Sequence, residues 1–430
     1  MKTRNISYLF VALTLGLAWA MRGHFGHEWG AAWAGAMGVM AVLLVSNRKD
    51  WADRAPTLVS LGAVGWGVGG MMSYGIVIGY CRSLSFGNSL YGYAMLAVIG
   101  ALYGFIGGGF FGLGLESSEE KKPKWANLIT QMFAGGFLIW GLFIYQMEWF
   151  MTPPRSELWA GCLGAAIALA WFLYRHNFRK ALRVAAYAAL GAGFGFAFGN
   201  FIQTIGATTG IAYNWWNVME FTMGFFGGLG MIYAVMTREW PKSCPPSKTA
   251  NWIGIVFVFL FLPLSNYLNG VSVERFVKLA ERLNIIGPQQ YGVNQMIIVG
   301  ISILVFFGIA IILWKKYLSK NEKLMLFTLP SMLFLTSLQY NLFSSIQLGF
   351  FHRPFSFKFS DTLYIFIIAI MFLLWYYIIR KGDDLPKENR VDETWKRWGI
   401  IMLSLVLVFI LIALISTSMH DGIPGSHDRF

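Results

Sequence analysis

Ionisable side chains lie between two apolar segments in the stretch MRGHFGHEWG, residues 21–30. If residues 24–28 are helical, His24, His27 and Glu28 share one face, because they are spaced i, i+3 and i+4. A histidine pair beside a carboxylate can relay protons or act as acid and base. We therefore predict that His24, His27 and Glu28 are catalytic or proton-relay residues and that Arg22 binds substrate.

Two structural interpretations of this stretch stay open. A turn outside the membrane is naturally polar and can simply be solvated, or Arg22 can pair with Glu28. A metal site is not predicted, because the spacing is not the helical HExxH pattern and a third protein ligand is not obvious. No cofactor is predicted, since the chain has no phosphate-binding GxxxxGK[ST] loop and no GxGxxG following a strand.

Further candidate substrate-binding residues lie toward the same predicted side of the membrane. Asn200 and Gln203 end one apolar segment, and Glu220 falls inside the next. A carboxylate within a membrane span is costly and is usually functional or paired. The pairing partners expected for Glu220 are Arg82 and Arg155.

Asn341 is a candidate substrate-binding residue in an unusually polar span. At 100° per residue its polar neighbours cover about half of the helix, a stripe that must face protein or water. The stripe consists of Thr336, Ser337, Asn341, Ser344, Ser345 and Gln347. Hydrogen bonding between helices and the lining of a polar cavity both explain it. His352 and Arg353 are expected at the membrane interface.

The composition indicates which elements position these residues. The chain is 56% hydrophobic and 13% charged, whereas soluble proteins have about a quarter of their residues charged. Apolar stretches of about 17–25 residues, the length needed to cross a bilayer, recur throughout. We predict an all-α integral membrane protein with about thirteen transmembrane helices. The predicted spans are 6–21, 30–46, 57–80, 90–114, 125–147, 157–174, 184–202, 216–236, 251–268, 294–314, 324–348, 362–379 and 398–418.

The basic residues predict the orientation. The N-terminus and the loops after even-numbered spans hold 25 of the 34 Lys and Arg residues, and the other side holds nine. The positive-inside rule then places the N-terminus in the cytoplasm and the C-terminus outside, in a multi-pass protein of the inner (plasma) membrane. The net charge of +13 is therefore a topology signal, and no nucleic-acid partner is expected.

Three pairs of similar segments predict an internal repeat. WAGAMG at 33–38 matches WAGCLG at 159–164, LGAVGWGVGG at 61–70 matches LGAGFGFAFG at 190–199, and GFIGG at 104–108 matches GFFGG at 224–228. Four spans per unit make this a parallel repeat. We divide the chain into a first four-span repeat (1–124), a second (125–245) and a C-terminal five-span bundle (246–430). Of the 48 glycines, 37 lie in residues 1–236, which favours close helix packing there.

The longest outer loop contains an amphipathic helix, predicted over residues 272–284. Its apolar residues share one face and its charges lie opposite. Such a helix lies on the membrane surface, in contact with lipid, or covers the mouth of a cavity.

Three functions fit these features. The first is a secondary transporter that moves a small polar or anionic solute with proton coupling, as the repeat and the buried ionisable groups suggest. The second is an acyl or glycosyl transferase that acts on a lipid-linked or surface glycan at the outer face, with His24 or His27 as general base and Arg22 holding an anion. The third is a non-catalytic membrane subunit. Whether the chain is an enzyme, and whether it forms a homo-oligomer or binds a membrane partner, stays open.

Overall fold

The computed structural model describes residues 3–319, 322–349, 359–381 and 394–430, and all regular structure in these ranges is helical. The helices are α1 (Thr3–Arg22), α2 (Glu28–Ser46), α3 (Lys49–Ala52), α4 (Ala55–Gly69), α5 (Gly75–Cys81), α6 (Phe86–Glu116), α7 (Trp125–Trp140), α8 (Leu158–Arg175), α9 (Arg179–Thr208), α10 (Trp215–Met236), α11 (Lys248–Val256), α12 (Leu262–Gly270), α13 (Val273–Arg282), α14 (Pro288–Leu318), α15 (Glu322–Gln347), α16 (Phe359–Lys381) and α17 (Trp395–Ser418). One π-helical segment, Gly141–Gln146, continues α7, and another, Phe257–Phe261, joins α11 to α12.

The chain is a polytopic membrane protein. Within the described residues, eleven helical segments are long and apolar enough to cross a membrane. Two of the thirteen predicted spans are not among them. The span predicted at 57–80 is divided into α4 and α5 by a non-helical stretch, residues 70–74, and the span predicted at 324–348 forms α15, which contains Pro330.

Six helices form a closed ring. α1 packs against α2, α2 against α4, α4 against α6, α6 against α9, α9 against α10, and α10 returns to α1. Glycine permits these contacts, because a Cβ atom on Gly104 would lie 2.2 Å from the Ala188 carbonyl oxygen of the facing helix. Small residues of this kind let membrane helices pack closely. Close packing matters inside the bilayer, because the hydrophobic effect does not bring helices together there. The glycine-rich half of the sequence therefore builds the ring.

α7 and α8 lie outside this ring and pack mainly against each other. α7 and its π-helical continuation bury only 17% of their apolar membrane-spanning stretch, compared with 72% in α1 and 83% in α2. Spans that correspond in the predicted repeat thus occupy an interior position in one unit and a peripheral position in the other. The repeat and the three-part division of the chain stay predictions.

The C-terminal helices surround the ring more loosely. The apolar membrane-spanning stretches of α14, α16 and α17 are only 17–22% buried. These helices therefore expose large apolar surfaces of the kind that contact lipid. α13 forms within the predicted amphipathic segment and buries Phe276, Leu279 and Ala280. After α17 the chain returns to the ends of α5 and α6, where the His427 N–H donates to the Gly79 carbonyl (3.1 Å).

Candidate functional site

The turn between α1 and α2 is not helical. α1 ends at Arg22 and α2 begins at Glu28, and Gly26 adopts a left-handed backbone conformation (φ 94°) where the chain reverses. The expectation that His24, His27 and Glu28 share one helical face is therefore wrong. The ring of His27 lies edge-on to Tyr74 (5.4 Å between ring centroids), Glu28 is exposed at the start of α2, and His24 faces a separate cavity.

Arg22 is buried and forms an ion pair with Glu220. The Arg22 Nη2 atom lies 3.1 Å from Glu220 Oε1, and both side chains are only 1% exposed. The same nitrogen donates to the Tyr74 hydroxyl at 2.6 Å, and the guanidinium lies 4.2 Å from the ring centroid of Trp19. The structure thus pairs Arg22 with Glu220 and not with Glu28, and it joins α1 to α10.

The two carboxylate oxygens of Glu220 have different surroundings. Oε1 accepts hydrogen bonds from Arg22 (3.1 Å), from the Tyr74 hydroxyl (2.8 Å) and from the Trp216 indole (3.1 Å). Oε2 is buried and has no hydrogen-bond partner among the described residues. It lies beside Gly23, where an added Cβ would be 3.1 Å away. One buried oxygen of the pair therefore remains able to take a proton or a ligand hydrogen bond.

Tyr74 is a central member of this site that the sequence analysis missed. It lies in the break between α4 and α5, and its ring packs against Phe196 (5.0 Å) and Trp216 (6.0 Å between centroids). The available signal was the sequence GGMMSYG, which interrupts the glycine-rich helix with a serine and a tyrosine. Because the flanking residues are apolar, hydropathy alone hides the break.

Aromatic side chains with unused polar atoms surround the pair. The Trp19 ring lies 5.0 Å from Tyr103 and 5.7 Å from Trp66. The indole nitrogens of Trp19 and Trp66, the Tyr103 hydroxyl and Arg22 Nε are all buried without a hydrogen-bond partner in the described part of the chain. Such groups are rare in folded proteins and call for an explanation. The site has more hydrogen-bonding capacity than the protein itself uses.

The remaining predicted substrate-binding residues form no hydrogen bond with this pair within the described ranges. Asn200 donates to Gln203 Oε1 (2.8 Å) and to the Met219 sulfur (3.5 Å) between α9 and α10. Asn341 is half-buried on α15. The Oδ1 atoms of Asn200 and Asn341 are buried and have no partner among the described residues. Both asparagines therefore keep an unused acceptor.

His24 lines an open cavity of about 310 Å³ between the turn, α13 and the end of α15. Its Nε2 atom is buried without a hydrogen-bond partner in the described ranges. Burial lowers the pKa of His24 to about 4, because the cationic form is poorly solvated there. His24 is therefore neutral at physiological pH, with one ring nitrogen protonated and the other free to accept.

Residues 3–319, 322–349, 359–381 and 394–430 contain no group of three His, Cys, Asp or Glu side chains that could hold a metal ion. His352 and Arg353, which we expected at the interface, lie outside the described residues.

Comparison of the chain with protein-family models, with curated proteins and with solved structures gives no match.

Proposed function

We propose that this membrane protein is a secondary transporter that moves a small polar or anionic solute with proton coupling. The observation that carries the proposal is the buried ion pair between Arg22 and Glu220. It joins two helices of the ring beside the break between α4 and α5. Transporters commonly bind their substrates where a membrane helix is broken.

The unpartnered oxygen of Glu220 suggests how coupling would work. A proton taken up on Oε2 neutralises the carboxylate and leaves the Arg22 guanidinium without its counter-ion. A negatively charged or polar solute then replaces the carboxylate as the partner of Arg22. Loss of the proton restores the ion pair and displaces the solute. The pair thus has two alternative arrangements, and a ligand can shift the balance only by binding one of them better.

This mechanism assigns the proton to Glu220 rather than to the histidines. His24 is neutral at physiological pH because burial holds its pKa near 4, so it does not change charge in the range where transport would operate. Its place on the wall of an open cavity is compatible with solute entry. His27, whose ring contacts Tyr74, lies nearer to the pair and can contact the solute.

The same contacts favour transport over transfer to a glycan. A transferase of the kind considered above needs one histidine, Glu28 and Arg22 to converge on a substrate. Instead, Arg22 is engaged by Tyr74 and Glu220, and His24 and His27 face different neighbours. The buried pair is thus better arranged to respond to a proton than to hold an acceptor sugar.

Proteoliposomes test the proposal. A panel of small carboxylates, phosphates and neutral polar solutes would be offered under an imposed pH gradient, while an internal dye reports proton movement. We expect at least one solute to move protons with the wild-type protein. Glu220→Gln and Arg22→Gln are expected to reduce that flux at least tenfold, because each removes one charge of the pair.

The matched control is Glu157→Gln, which changes a buried carboxylate and should keep most of the flux. The hydrogen-bond partners of Glu157 are Met151, Thr152 and Trp159, none of which belongs to the ring. If no solute moves protons with the wild-type protein, the transporter is ruled out. A modified envelope glycan in expressing cells, lost in His24→Ala, would then favour the transferase. Without such a product the subunit is favoured.

A further inference from the structure

Three cationic side chains of α13 lie around the cavity beside His24. Arg275, Lys278 and Arg282 are spaced i, i+3 and i+7, so they form one stripe along the helix, and all three line the cavity. None of its lining residues is acidic within the described ranges. Glu274 and Glu281, on the same helix, are not part of the lining. The lining of the cavity therefore carries a net positive charge.

Hydrogen bonds from two side chains fix the wall of this cavity. Arg275 donates through Nη1 to the carbonyls of Asn269 (3.0 Å) and Gly270 (2.8 Å) at the end of α12. Gln347, at the end of α15, donates to the same Gly270 carbonyl at 2.7 Å. These bonds tie α12, α13 and α15 together. The cavity is therefore built by three helices that are held in place independently of any ligand.

Other donors at the cavity remain unused. Arg282 donates through Nε to the Lys278 carbonyl (3.3 Å), which leaves its two terminal nitrogens available. His24 Nε2 is buried without a partner, and the Lys278 ammonium contacts no carboxylate within 4 Å in the described part of the chain. Like charges that are three or four residues apart on a helix repel each other. An anion between them would remove that repulsion and satisfy the donors.

The distribution of charge along the chain strengthens this argument. The predicted outer side holds only nine Lys and Arg residues, and three of them line this one cavity. The positive-inside rule does not account for a cluster of cations on the side that it depletes. A ligand of opposite charge does account for it.

We propose that this cavity binds a phosphate group, carried either by an anionic phospholipid or by a soluble molecule. The forked guanidinium of Arg282 matches the oxygens of a phosphate, and Lys278 supplies a second charge. A neutral imidazole at His24 can donate a further hydrogen bond. The site does not depend on the transport proposal, because it is lined by different side chains from those of the Arg22–Glu220 pair and its test measures binding alone.

Two probes distinguish the sources of the phosphate. The full-length protein in phosphatidylcholine nanodiscs would be titrated with inorganic phosphate by calorimetry. Separately, protein purified from mixed vesicles of phosphatidylcholine and phosphatidylglycerol would be analysed for retained lipid by native mass spectrometry. Each measurement would be repeated with the double variant Lys278→Gln/Arg282→Gln. The charge-matched control carries Lys315→Gln and Lys316→Gln together, which removes two exposed cations at the far end of α14.

We expect the wild-type protein to bind at least one probe and the double variant to bind it at least tenfold more weakly, while the charge-matched control binds as tightly as the wild type. Phosphate binding without retained phosphatidylglycerol identifies a soluble ligand, and retained lipid that phosphate does not displace identifies a headgroup. The proposal is wrong if neither probe binds, or if the double variant, eluting as a monodisperse folded protein, binds both probes as tightly as the wild type.

Discussion

Two turns that correspond in the predicted repeat satisfy their charged groups in opposite ways. In the first turn, between α1 and α2, Arg22 finds its partner Glu220 at a separation of 198 residues. In the second, before α8, the Glu157 carboxylate accepts from the backbone of Met151 (2.8 Å) and Thr152 (2.7 Å) and from the Trp159 indole (2.7 Å). The Glu157 carboxylate is satisfied by its own turn, whereas the Arg22 guanidinium depends on the assembly of the ring for its partner.

The carboxylates of Glu157 and Glu220 differ in how many of their oxygens are hydrogen-bonded. Both oxygens of Glu157 are used locally, so the contacts of this residue are explained by the shape of the turn. Glu220 is almost fully buried, yet one of its oxygens has no hydrogen-bond partner in the part of the chain that the structure describes, and turn formation does not explain that. A buried polar atom left unsatisfied by the fold is the better indication of a ligand or a proton.

The largest effect is expected from breaking the long-range pair. Glu220→Leu leaves the Arg22 guanidinium buried without a counter-ion, and breaking a buried pair costs about 3–5 kcal/mol. Thermal unfolding of the purified protein in detergent would measure the loss. The double variant Arg22→Met/Glu220→Leu should recover much of it, because neither charge then remains unpaired. If the double variant is no more stable than the single one, the pair does not contribute in this way.

The next effect concerns the broken helix that carries Tyr74 to the pair. A Cβ on Gly70 would lie 2.5 Å from the Glu28 Cα and 2.7 Å from the His27 carbonyl, whereas one on Gly75 meets nothing within 4 Å. Gly70→Ala should therefore cost about 1–3 kcal/mol through overpacking, and Gly75→Ala should be nearly neutral. Thermal unfolding of the two variants side by side checks this. If both variants lose the same stability, the backbone of the first turn does not pack tightly against the non-helical stretch between α4 and α5.

A smaller effect is expected at the second turn. Glu157→Ala removes the acceptor of two backbone N–H groups and one indole, at a cost of about 1–2 kcal/mol, because water can reach part of a turn. Any solute flux of the wild type should persist, since no partner of Glu157 belongs to the ring. A loss of flux equal to that of Glu220→Gln would erase the distinction between the two turns.

The effect with the least influence at neutral pH is a pH dependence that arises in the first turn. Because the folded pKa of His24 is about 4 and its unfolded value is about 6.5, the unfolded chain takes up a proton first as the pH falls. The stability contributed by neutral His24 is therefore complete above pH 6.5 and is lost toward pH 4. His24→Gln should reduce the fall in unfolding temperature over this range without abolishing it, because burial also lowers the pKa of His27 to about 4. His176→Gln, which changes an exposed histidine before α9, should keep the wild-type profile.

The amphipathic helix shows what the sequence can predict. The segment 272–284 was expected from the period of its apolar residues, and α13 runs from Val273 to Arg282 within it. Periodicity is a local property, so neighbouring residues suffice to reveal it. The apolar spans are visible for the same reason, because the bilayer requires a continuous run of apolar residues in each.

The pairing of Arg22 was not predictable in this way. The partner considered for Arg22 was Glu28, and those considered for Glu220 were Arg82 and Arg155, because each lies in or near a loop on the same predicted side. Which helices are neighbours depends on how the ring closes, and glycine contacts such as Gly104 against Ala188 determine that closure. No spacing rule along the chain contains this information, so Arg22 and Glu220 were proposed for one site without being matched to each other.

The long separation within the ion pair also has a consequence for biosynthesis. α1 enters the membrane long before α10 exists, since Arg22 precedes Glu220 by 198 residues. At about 5–20 residues per second of translation, Arg22 waits roughly 10–40 s for its counter-ion. During that interval its guanidinium must extend to the membrane surface and keep its hydration. The contact between Arg22 and Glu220 can form only after α10 has been synthesised, so any step of assembly that depends on this ion pair comes late.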